Sequence, residues 1–377
     1  MRIALKLACI GAVVMLAGCS FWGKPSRNAP AELVDFKETM AVHAVWSLSV
    51  GSAGAFTFVP ALGTGSIYAA AADGSISRVD AATGRAIWRI DAGMPLTAGV
   101  GSDGAYIAVA GDKGKVLVFD DEGKLLWKEQ ASSEILSSPA VGQGLVIVRS
   151  VDNQIVAFDA KSGTRKWILR RSVPALTLRN ASGILISGST AYVGLPGGRL
   201  LALSLNNGTP RWEAVVGDPH GATELERVAD VSGTPVLIGR EICAVSYQGR
   251  VACFDAINGG MAWSKDLSSD VGLAADERFI FAADEHGVVS AFLRDTGTSV
   301  WRNTQLANRR LSTPVSFGRA VAVGDGQGYL HFLSREDGSF LARVSTDDSP
   351  IVAAPLVAGE NVIVQTKDGK LIALGIQ

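Results

Sequence analysis

A pattern of turn, strand, turn and strand recurs eight times along this chain, and such periodicity predicts repeated supersecondary units. The clearest copy is Asp152–Trp167, DNQIVAFDAKSGTRKW. In it a polar turn precedes an apolar strand, Asp159 and Gly163 close a second turn, and Trp167 lies in the next strand. Aspartate caps backbone N–H groups in turns, and glycine accepts a positive φ without steric cost. The other copies occupy residues 73–88, 112–127, 197–212, 248–263, 286–301, 326–342 and 367–374.

The tryptophan spacing sets the size of the repeated unit. Seven of the eight tryptophans share one register, with intervals of 42, 39, 40, 45, 51 and 38 residues: Trp46, Trp88, Trp127, Trp167, Trp212, Trp263 and Trp301. Two more short strands fit between successive copies, for example Pro139–Val141 and Leu145–Val148. Four strands in roughly 40–45 residues are typical of a propeller blade. The sequence therefore predicts an all-β fold, an eight-bladed β-propeller of four-stranded antiparallel blades.

The two ends of the repeat array complement each other. The last copy stops at Gln377 without a tryptophan strand, whereas the strand that carries Trp46 has no preceding partner in its own repeat. We therefore expect Ala44–Val50 to pair with Lys370–Leu374, which closes the ring and removes exposed strand edges. The indoles are expected to pack between neighbouring blades, each with its N–H on a polar partner.

The first residues have the features of an export signal. Arg2 and Lys6 precede the apolar stretch 7–16, which is too short to remain as a membrane span. The stretch ends in LAGC at Cys19, which resembles the bacterial lipoprotein signal; an ordinary secretory signal with a chance cysteine is the alternative. The resemblance implies a signal peptide over 1–18 and lipidation, including palmitate, at Cys19. Because Ser20 is not aspartate, it further implies transfer to the outer membrane.

Domain boundaries follow from these features. Residues 19–40 contain two prolines and no strong period, so we interpret them as a lipidated N-terminus and flexible tether, with the propeller over 41–377.

In the propeller, Cys243 and Cys253 lie on two strands of one hairpin. A three-residue loop would pair them directly, whereas a two-residue loop would put the sulfurs on opposite faces. Both a disulfide and two small buried core residues fit this arrangement.

The two longest tryptophan intervals are adjacent, and their additional residues fall after the outer strands, in Arg170–Ser182 and Val216–Val231. Such connections leave every blade on the same rim, so the two loops should lie side by side. The first presents Leu176 and Leu178 with Arg179 beside them, and the second is rich in carboxylates. An apolar centre with a charged rim is typical of a small protein-docking surface. The alternative is that the leucines fold back onto the blades.

Candidate catalytic groups are better explained as turn residues. The aspartates of the repeat recur at turn positions, and the four histidines have no neighbouring ligands at metal-binding spacing. No G-x-S-x-G motif occurs. A formal net charge of −1 argues against a nucleic-acid partner. We therefore predict no catalytic, cofactor-binding or metal-binding residue.

The frame D-x-x-T-G-x-x-x-W, best preserved in Asp80–Trp88, resembles the repeat of pyrroloquinoline-quinone enzymes. That resemblance implies a quinone- and calcium-dependent dehydrogenase as one alternative. The chain lacks the adjacent cysteine pair of those enzymes and is much shorter, and no acidic residue falls outside the turn register as a base.

The signal, tether and repeats together resemble the BamB lipoproteins of the outer-membrane β-barrel assembly (BAM) complex. The most specific matches are LTLR at 176–179 and ELERVADV at 224–231, followed by Thr234-Pro235. In that family these loops contact a periplasmic POTRA domain of the barrel subunit BamA. By motif, Leu176, Leu178, Arg179 and Asp230 would be the contacts. Where the family often has a second aspartate, this chain has Ser232.

The resemblance implies a non-catalytic scaffold without cofactor, anchored on the periplasmic face of the outer membrane. Its partners would be BamA, other BAM subunits and unfolded outer-membrane proteins. A generic envelope adaptor with a different partner is a further alternative.

Overall fold

The computed structural model describes residues 28–179 and 182–376, which form eight four-stranded antiparallel sheets arranged as a propeller. This confirms the predicted all-β, eight-bladed fold. We number the blades 1 to 8 from β2–β5 onwards. The strands are β1 Val42–Ser49, β2 Ala61–Gly63, β3 Ser66–Ala70, β4 Ser75–Asp80, β5 Ala86–Asp91, β6 Gly101–Ser102, β7 Tyr106–Ala110, β8 Lys115–Asp120, β9 Leu125–Gln130, β10 Ala140–Gly142, β11 Leu145–Arg149, β12 Gln154–Asp159, β13 Arg165–Arg170, β14 Ile184–Ser187, β15 Thr190–Leu195, β16 Arg199–Ser204, β17 Pro210–Val215, β18 Val231–Ile238, β19 Glu241–Ser246, β20 Arg250–Asp255, β21 Met261–Asp266, β22 Leu273–Ala275, β23 Phe279–Ala283, β24 Val289–Leu293, β25 Ser299–Asn303, β26 Val315–Phe317, β27 Ala320–Gly324, β28 Tyr329–Ser334, β29 Phe340–Ser345, β30 Leu356–Ala358, β31 Asn361–Gln365 and β32 Lys370–Ile376.

Blade 3 shows how the repeat becomes a blade. Its strands are ordered β10, β11, β12, β13 from the centre outwards, as the sequence predicts. The two middle strands are buried on both faces because a neighbouring blade covers each face, so they read as continuous apolar runs. The outer strand β13 alternates, with Trp167 as its buried residue. In blade 2 the connection between the two middle strands, β7 and β8, contains a short helical turn, Asp112–Gly114.

Each repeat tryptophan joins its blade to the next, which confirms the predicted inter-blade packing. The indole N–H donates to a backbone carbonyl in the following blade, as in Trp127 to Ala160 O at 2.8 Å and Trp167 to Leu205 O at 2.7 Å. The ring also lies over the glycine of the next D-x-x-T-G turn: a Cβ added at Gly163 would lie 2.8 Å from Trp127 Cδ2. Tryptophan and turn glycine are therefore one inter-blade contact, which explains why they recur together.

The ring closes as predicted. Strand β1 pairs antiparallel with β32, with Ala44 opposite Leu374 and Ser49 opposite Lys370, so blade 8 contains both ends of the chain. This arrangement also accounts for Ala342 in place of the eighth tryptophan. Blade 8 has no turn between its two outermost strands, so an indole at 342 would have no turn glycine to contact. Met40 packs in the same buried cluster as Ala342.

The N-terminal segment differs from a flexible tether along part of its length. From Asn28 it is described and runs along blade 7, where Arg309 Nη1 donates to Ala31 O at 2.8 Å and Phe36 stacks on Phe340 at 5.1 Å between centroids. Backbone N–H groups of Thr39 and Met40 then donate to Leu341 O. Apolar Val34 and Phe36 stabilise this docking by packing on the blade 6–7 core.

A buried charge cluster supports that segment. Asp325 is fully buried and accepts from Arg309 Nε at 2.7 Å and His331 Nε2 at 2.8 Å. Arg343 donates to His331 Nδ1 and to Val34 O. The cluster thereby fixes the arginines that bind the segment's carbonyls. The expected signal peptide and Cys19 lie outside the described residues, as does the part of the expected tether before Asn28.

The two cysteines form a disulfide. A three-residue loop between Ser246 and Arg250 places Cys243 directly opposite Cys253, and the sulfurs are bonded. The alternative of two unbonded core cysteines is therefore wrong. The bond lies in the blade 5–6 core, with both cysteines buried.

We expect the double substitution Cys243→Ala/Cys253→Ala to lower the free energy of unfolding by about 2–3 kcal/mol, since the bond closes a short loop in the unfolded chain. Urea denaturation of the oxidised protein and the variant measures this difference. A reducing agent should destabilise the wild type to the level of the variant and leave the variant unchanged. Equal stability of all three samples would contradict the prediction.

Candidate functional site

The two long loops lie side by side on the rim that carries the connections between blades, as the sequence predicts. We call residues 171–183 the blade 3–4 loop and 216–230 the blade 4–5 loop. Leu178 N donates to Asp230 Oδ2 at 2.6 Å, which connects the first loop to the second, and Gly183 N donates to Gly233 O at 3.2 Å, which connects the first loop to β18 of blade 5. Asn180 and Ala181 lie outside the described residues.

The blade 3–4 loop presents three of the predicted contact residues, which we call the rim patch: Leu176, Leu178 and Arg179. Leu176 is 47% exposed and Leu178 is half-buried. The Arg179 side chain is 77% exposed, and its Nη2 donates to Glu134 Oε2 at 2.6 Å. Leu176 therefore does not fold back onto the blade, which was the alternative interpretation, whereas Leu178 is partly covered.

Asp230, the fourth predicted contact, does not lie at the surface. It is 4% exposed, and its two carboxylate oxygens accept from Leu178 N and from Gly197 N, the latter at 3.1 Å. Burial raises the pKa of this carboxyl, although the two backbone donors and Arg149 act in the opposite direction. Asp230 is thus a positioning residue that ties the blade 3–4 loop to blade 4, and the prediction of direct contact does not fit this structure.

Sequence reasoning missed Arg149, which ends the middle strand β11 beneath the rim patch. Its side chain is 7% exposed, and burial lowers the pKa of the guanidinium to about 10. Positions equivalent to Arg149 in the strand register are occupied by Ala70, Ala110, Gly194, Val245, Ala283, Gly324 and Gln365. A charged residue at a position otherwise filled mostly by small residues was the signal available in the sequence.

A pocket of about 210 Å³ opens between Arg149, Asp230 and the rim patch. Leu136, Val151 and Pro196 supply apolar walls, and Leu178 and Arg179 border it. It therefore joins the exposed patch to the buried charges. Within the described ranges, no group of three or more histidine, cysteine, aspartate or glutamate side chains is placed to hold a metal.

The turn interpretation of the repeat aspartates is confirmed. Asp159 accepts from Ser162 N at 2.9 Å, and this bond, together with bonds from Lys166 and the Ser162 hydroxyl, lowers the pKa of Asp159 to about 2. Asp73 and Asp255 accept from backbone N–H groups in the same manner. The described part of the chain contains no helix that is both long and apolar enough to cross a bilayer.

The ring of tryptophan-linked blades defines the chain as an eight-bladed β-propeller. The crystal structure of quinohemoprotein alcohol dehydrogenase from Comamonas testosteroni superposes with a TM-score of 0.70, at 14% identity, over 89% of this chain and 76% of that one, and shares the fold alone. A family model described as outer membrane protein assembly factor BamB matches residues 72–303 and 285–377. The chain belongs to this family.

Individual relatives agree with this assignment. The outer membrane protein assembly factor BamB of Burkholderia pseudomallei is 45% identical over 369 residues, which cover 98% of this chain and 97% of the relative. The crystal structure of BamB from Moraxella catarrhalis superposes with a TM-score of 0.82 at 27% identity, over 89% of this chain and all of that one.

Asp230→Ala is expected to release the blade 3–4 loop. The substitution removes the acceptor for two backbone N–H groups, and leaving buried donors unpaired costs about 1–3 kcal/mol. Removing a buried charge offsets part of that cost. Hydrogen exchange should become faster at Leu178 N and Gly197 N, whereas Asp159→Ala, which removes a turn acceptor at the other rim, should leave both amides protected. Unchanged exchange in Asp230→Ala would contradict the anchoring role.

Proposed function

We propose that this protein is a non-catalytic scaffold lipoprotein of the outer-membrane protein assembly machinery. Its rim patch binds a periplasmic POTRA domain of BamA, and the complex assists folding and insertion of β-barrel proteins. Membership of the family described as outer membrane protein assembly factor BamB supports this proposal.

The observation that carries the proposal is the form of the rim patch. An exposed leucine, a second leucine and an exposed arginine lie together on a loop held by hydrogen bonds at Leu178 and Gly183. A held loop loses little conformational entropy on binding, and arginine beside apolar side chains is typical of interface centres. These properties favour a docking surface over a loop that only connects two blades.

Attachment to the membrane is part of the same proposal. Cys19 carries the lipid after removal of residues 1–18, and the propeller faces the periplasm. The LAGC sequence and the non-aspartate Ser20 support lipidation and an outer-membrane destination.

Two alternatives make different predictions. A quinone-dependent enzyme would bind pyrroloquinoline quinone and need calcium, but the aspartates of the repeat serve as turn caps. A generic envelope adaptor would keep the anchor and the ring but bind another partner. Residues 176–179 and 224–231 favour BamA because they carry the family's motifs.

Affinity purification of the tagged lipoprotein from detergent-solubilised outer membranes tests the proposal. We expect BamA to co-purify with the wild type but not with the Arg179→Glu variant. The wild type and the variant should both reach the outer membrane. Recovery of a different partner would support the adaptor, and micromolar quinone binding with alcohol or glucose oxidation would support the enzyme.

A further inference from the structure

We propose that the pocket below the rim patch receives an aspartate or glutamate side chain of the docked partner, with Arg149 as the cation that binds its carboxylate. This inference rests on the proposed function, because the partner supplies the carboxylate. It adds a specific chemical contact that lies deeper than the exposed patch.

The Arg149 guanidinium has hydrogen-bond donors that the described residues leave without a good acceptor. Its Nε is buried without a hydrogen-bond partner, and its Nη1 makes only a long contact of 3.5 Å to Asn153 Oδ1. Within residues 28–179 and 182–376, no carboxylate lies within ion-pair distance of its nitrogens. A buried cation in this state is destabilising until an anion reaches it.

Asp230 does not fill that role. It lowers the cost of the buried guanidinium across the pocket, but it forms no ion pair with Arg149, and the backbone N–H groups of Leu178 and Gly197 hold it in that position. The N–H groups of the Arg149 guanidinium therefore remain available for a second carboxylate. A guanidinium binds a carboxylate through two parallel hydrogen bonds, and this geometry needs both of its donors free.

The fold does not need an arginine at position 149. Six of the seven equivalent positions in other blades hold Ala, Gly or Val, and blade 8 holds Gln365. The Gln365 amide also has an unpaired oxygen, but its Nε2 donates across the ring to Ala70 O at 2.9 Å. Arg149 has no comparable bond to a neighbouring blade among the described residues.

The size and position of the pocket suit one side chain of a docked partner. At about 210 Å³ it is smaller than the cavities of about 300–1,000 Å³ that hold drug-sized ligands, and it suits a single side chain. Its apolar walls strengthen a charge pair formed inside it. Since Leu178 and Arg179 border its opening, a protein seated on the rim patch can reach it without rearrangement of the ring.

Small carboxylates test the pocket without any partner protein. We expect sodium propionate, which reproduces the end of a glutamate side chain, to shift the Arg149 Nε–H resonance saturably in ¹⁵N-arginine-labelled protein. Isosteric propionamide, with sodium chloride at matched ionic strength, should not. The resonance is assigned by its loss in Arg149→Gln, a substitution with a precedent at position 365. Equal responses to propionate and propionamide would overturn the pocket assignment.

Calorimetry with the purified POTRA region of BamA tests the partner's use of the pocket. Arg149→Gln should weaken binding about tenfold or more, while its melting temperature is at least as high as that of the wild type, because the buried unpaired charge is removed. Arg149→Lys keeps the charge but loses the pair of adjacent donors, so it should also weaken binding. This variant separates bidentate binding from charge alone.

Wild-type affinity in folded Arg149→Gln, together with loss of affinity in Arg179→Glu, would overturn this inference and leave the proposed function intact. Absence of binding by the wild type would overturn the proposed function, and the propionate titration would then decide on the pocket alone.

Discussion

Gly163→Ala should lower the free energy of unfolding by about 2–4 kcal/mol, because the added methyl group meets both backbone strain and a packed indole. Gly163 has φ +72°, where an L-residue is strained, and a Cβ there would lie 2.8 Å and 2.9 Å from Trp127 Cδ2 and Cγ. The indole cannot retreat without loss of its bond to Ala160 O. Urea denaturation, followed by tryptophan fluorescence, measures the change.

Gly144→Ala is the matched control in the same blade. Its φ is +74°, yet nothing lies within 4 Å of an added Cβ, so this variant carries the backbone strain without the clash. We expect a cost of about 1 kcal/mol. Equal destabilisation by the two substitutions would show that the contact between tryptophan and glycine does not hold adjacent blades together.

Arg179→Glu should weaken binding to the POTRA region by about 2 kcal/mol or more, roughly thirtyfold. The arginine lies beside Leu176 and Leu178 at the proposed interface, and reversal places a carboxylate next to Glu134. The melting temperature should hardly change, because the exposed pair with Glu134 contributes only about 0–1 kcal/mol. Calorimetry and melting curves measure the two halves of this prediction.

The double variant Arg179→Glu/Glu134→Arg separates two explanations. It restores an ion pair between positions 134 and 179 but leaves the wrong charge at 179. If Arg179 contacts the partner, the double variant binds as poorly as the single one. Recovery of binding would mean that Arg179 only holds the loop against Glu134, and it would contradict the docking role.

The fold could be predicted from the sequence because each blade repeats the same local physics. Turn aspartates, turn glycines and strand tryptophans recur at fixed spacing, and the unpaired strand of Trp46 requires a partner at the other end of the chain. Contacts that involve residues outside the repeat could not be predicted from this pattern. The docking of Phe36 on Phe340 joins residues 304 positions apart and has no counterpart in other blades.

The candidate site was predictable only at the level of its loops. Loop length placed the two loops on one rim, but it could not reveal that Asp230 points inwards, since burial depends on the fold around Gly197 and Leu178. Arg149 was not predictable as a site residue, because in sequence a charged residue at the end of a strand resembles one that is exposed to solvent. Its pocket exists only once residues of blades 3, 4 and 5 meet.

The path of the N-terminal segment bears on how the ring is oriented at the membrane. Ala29 and Ala31 contact Asn308 and Arg309 in the connection from blade 6 to blade 7, which lies on the same rim as the rim patch. Leu178 and Arg179 even share a central funnel of about 620 Å³ with Arg310 and Leu311. Ten peptide units separate position 19 from Ala29 and can span at most about 35 Å. Under the proposed lipidation of Cys19, this short connection would hold the rim with the rim patch near the bilayer, so that the proposed partner domain would lie between the ring and the lipid surface.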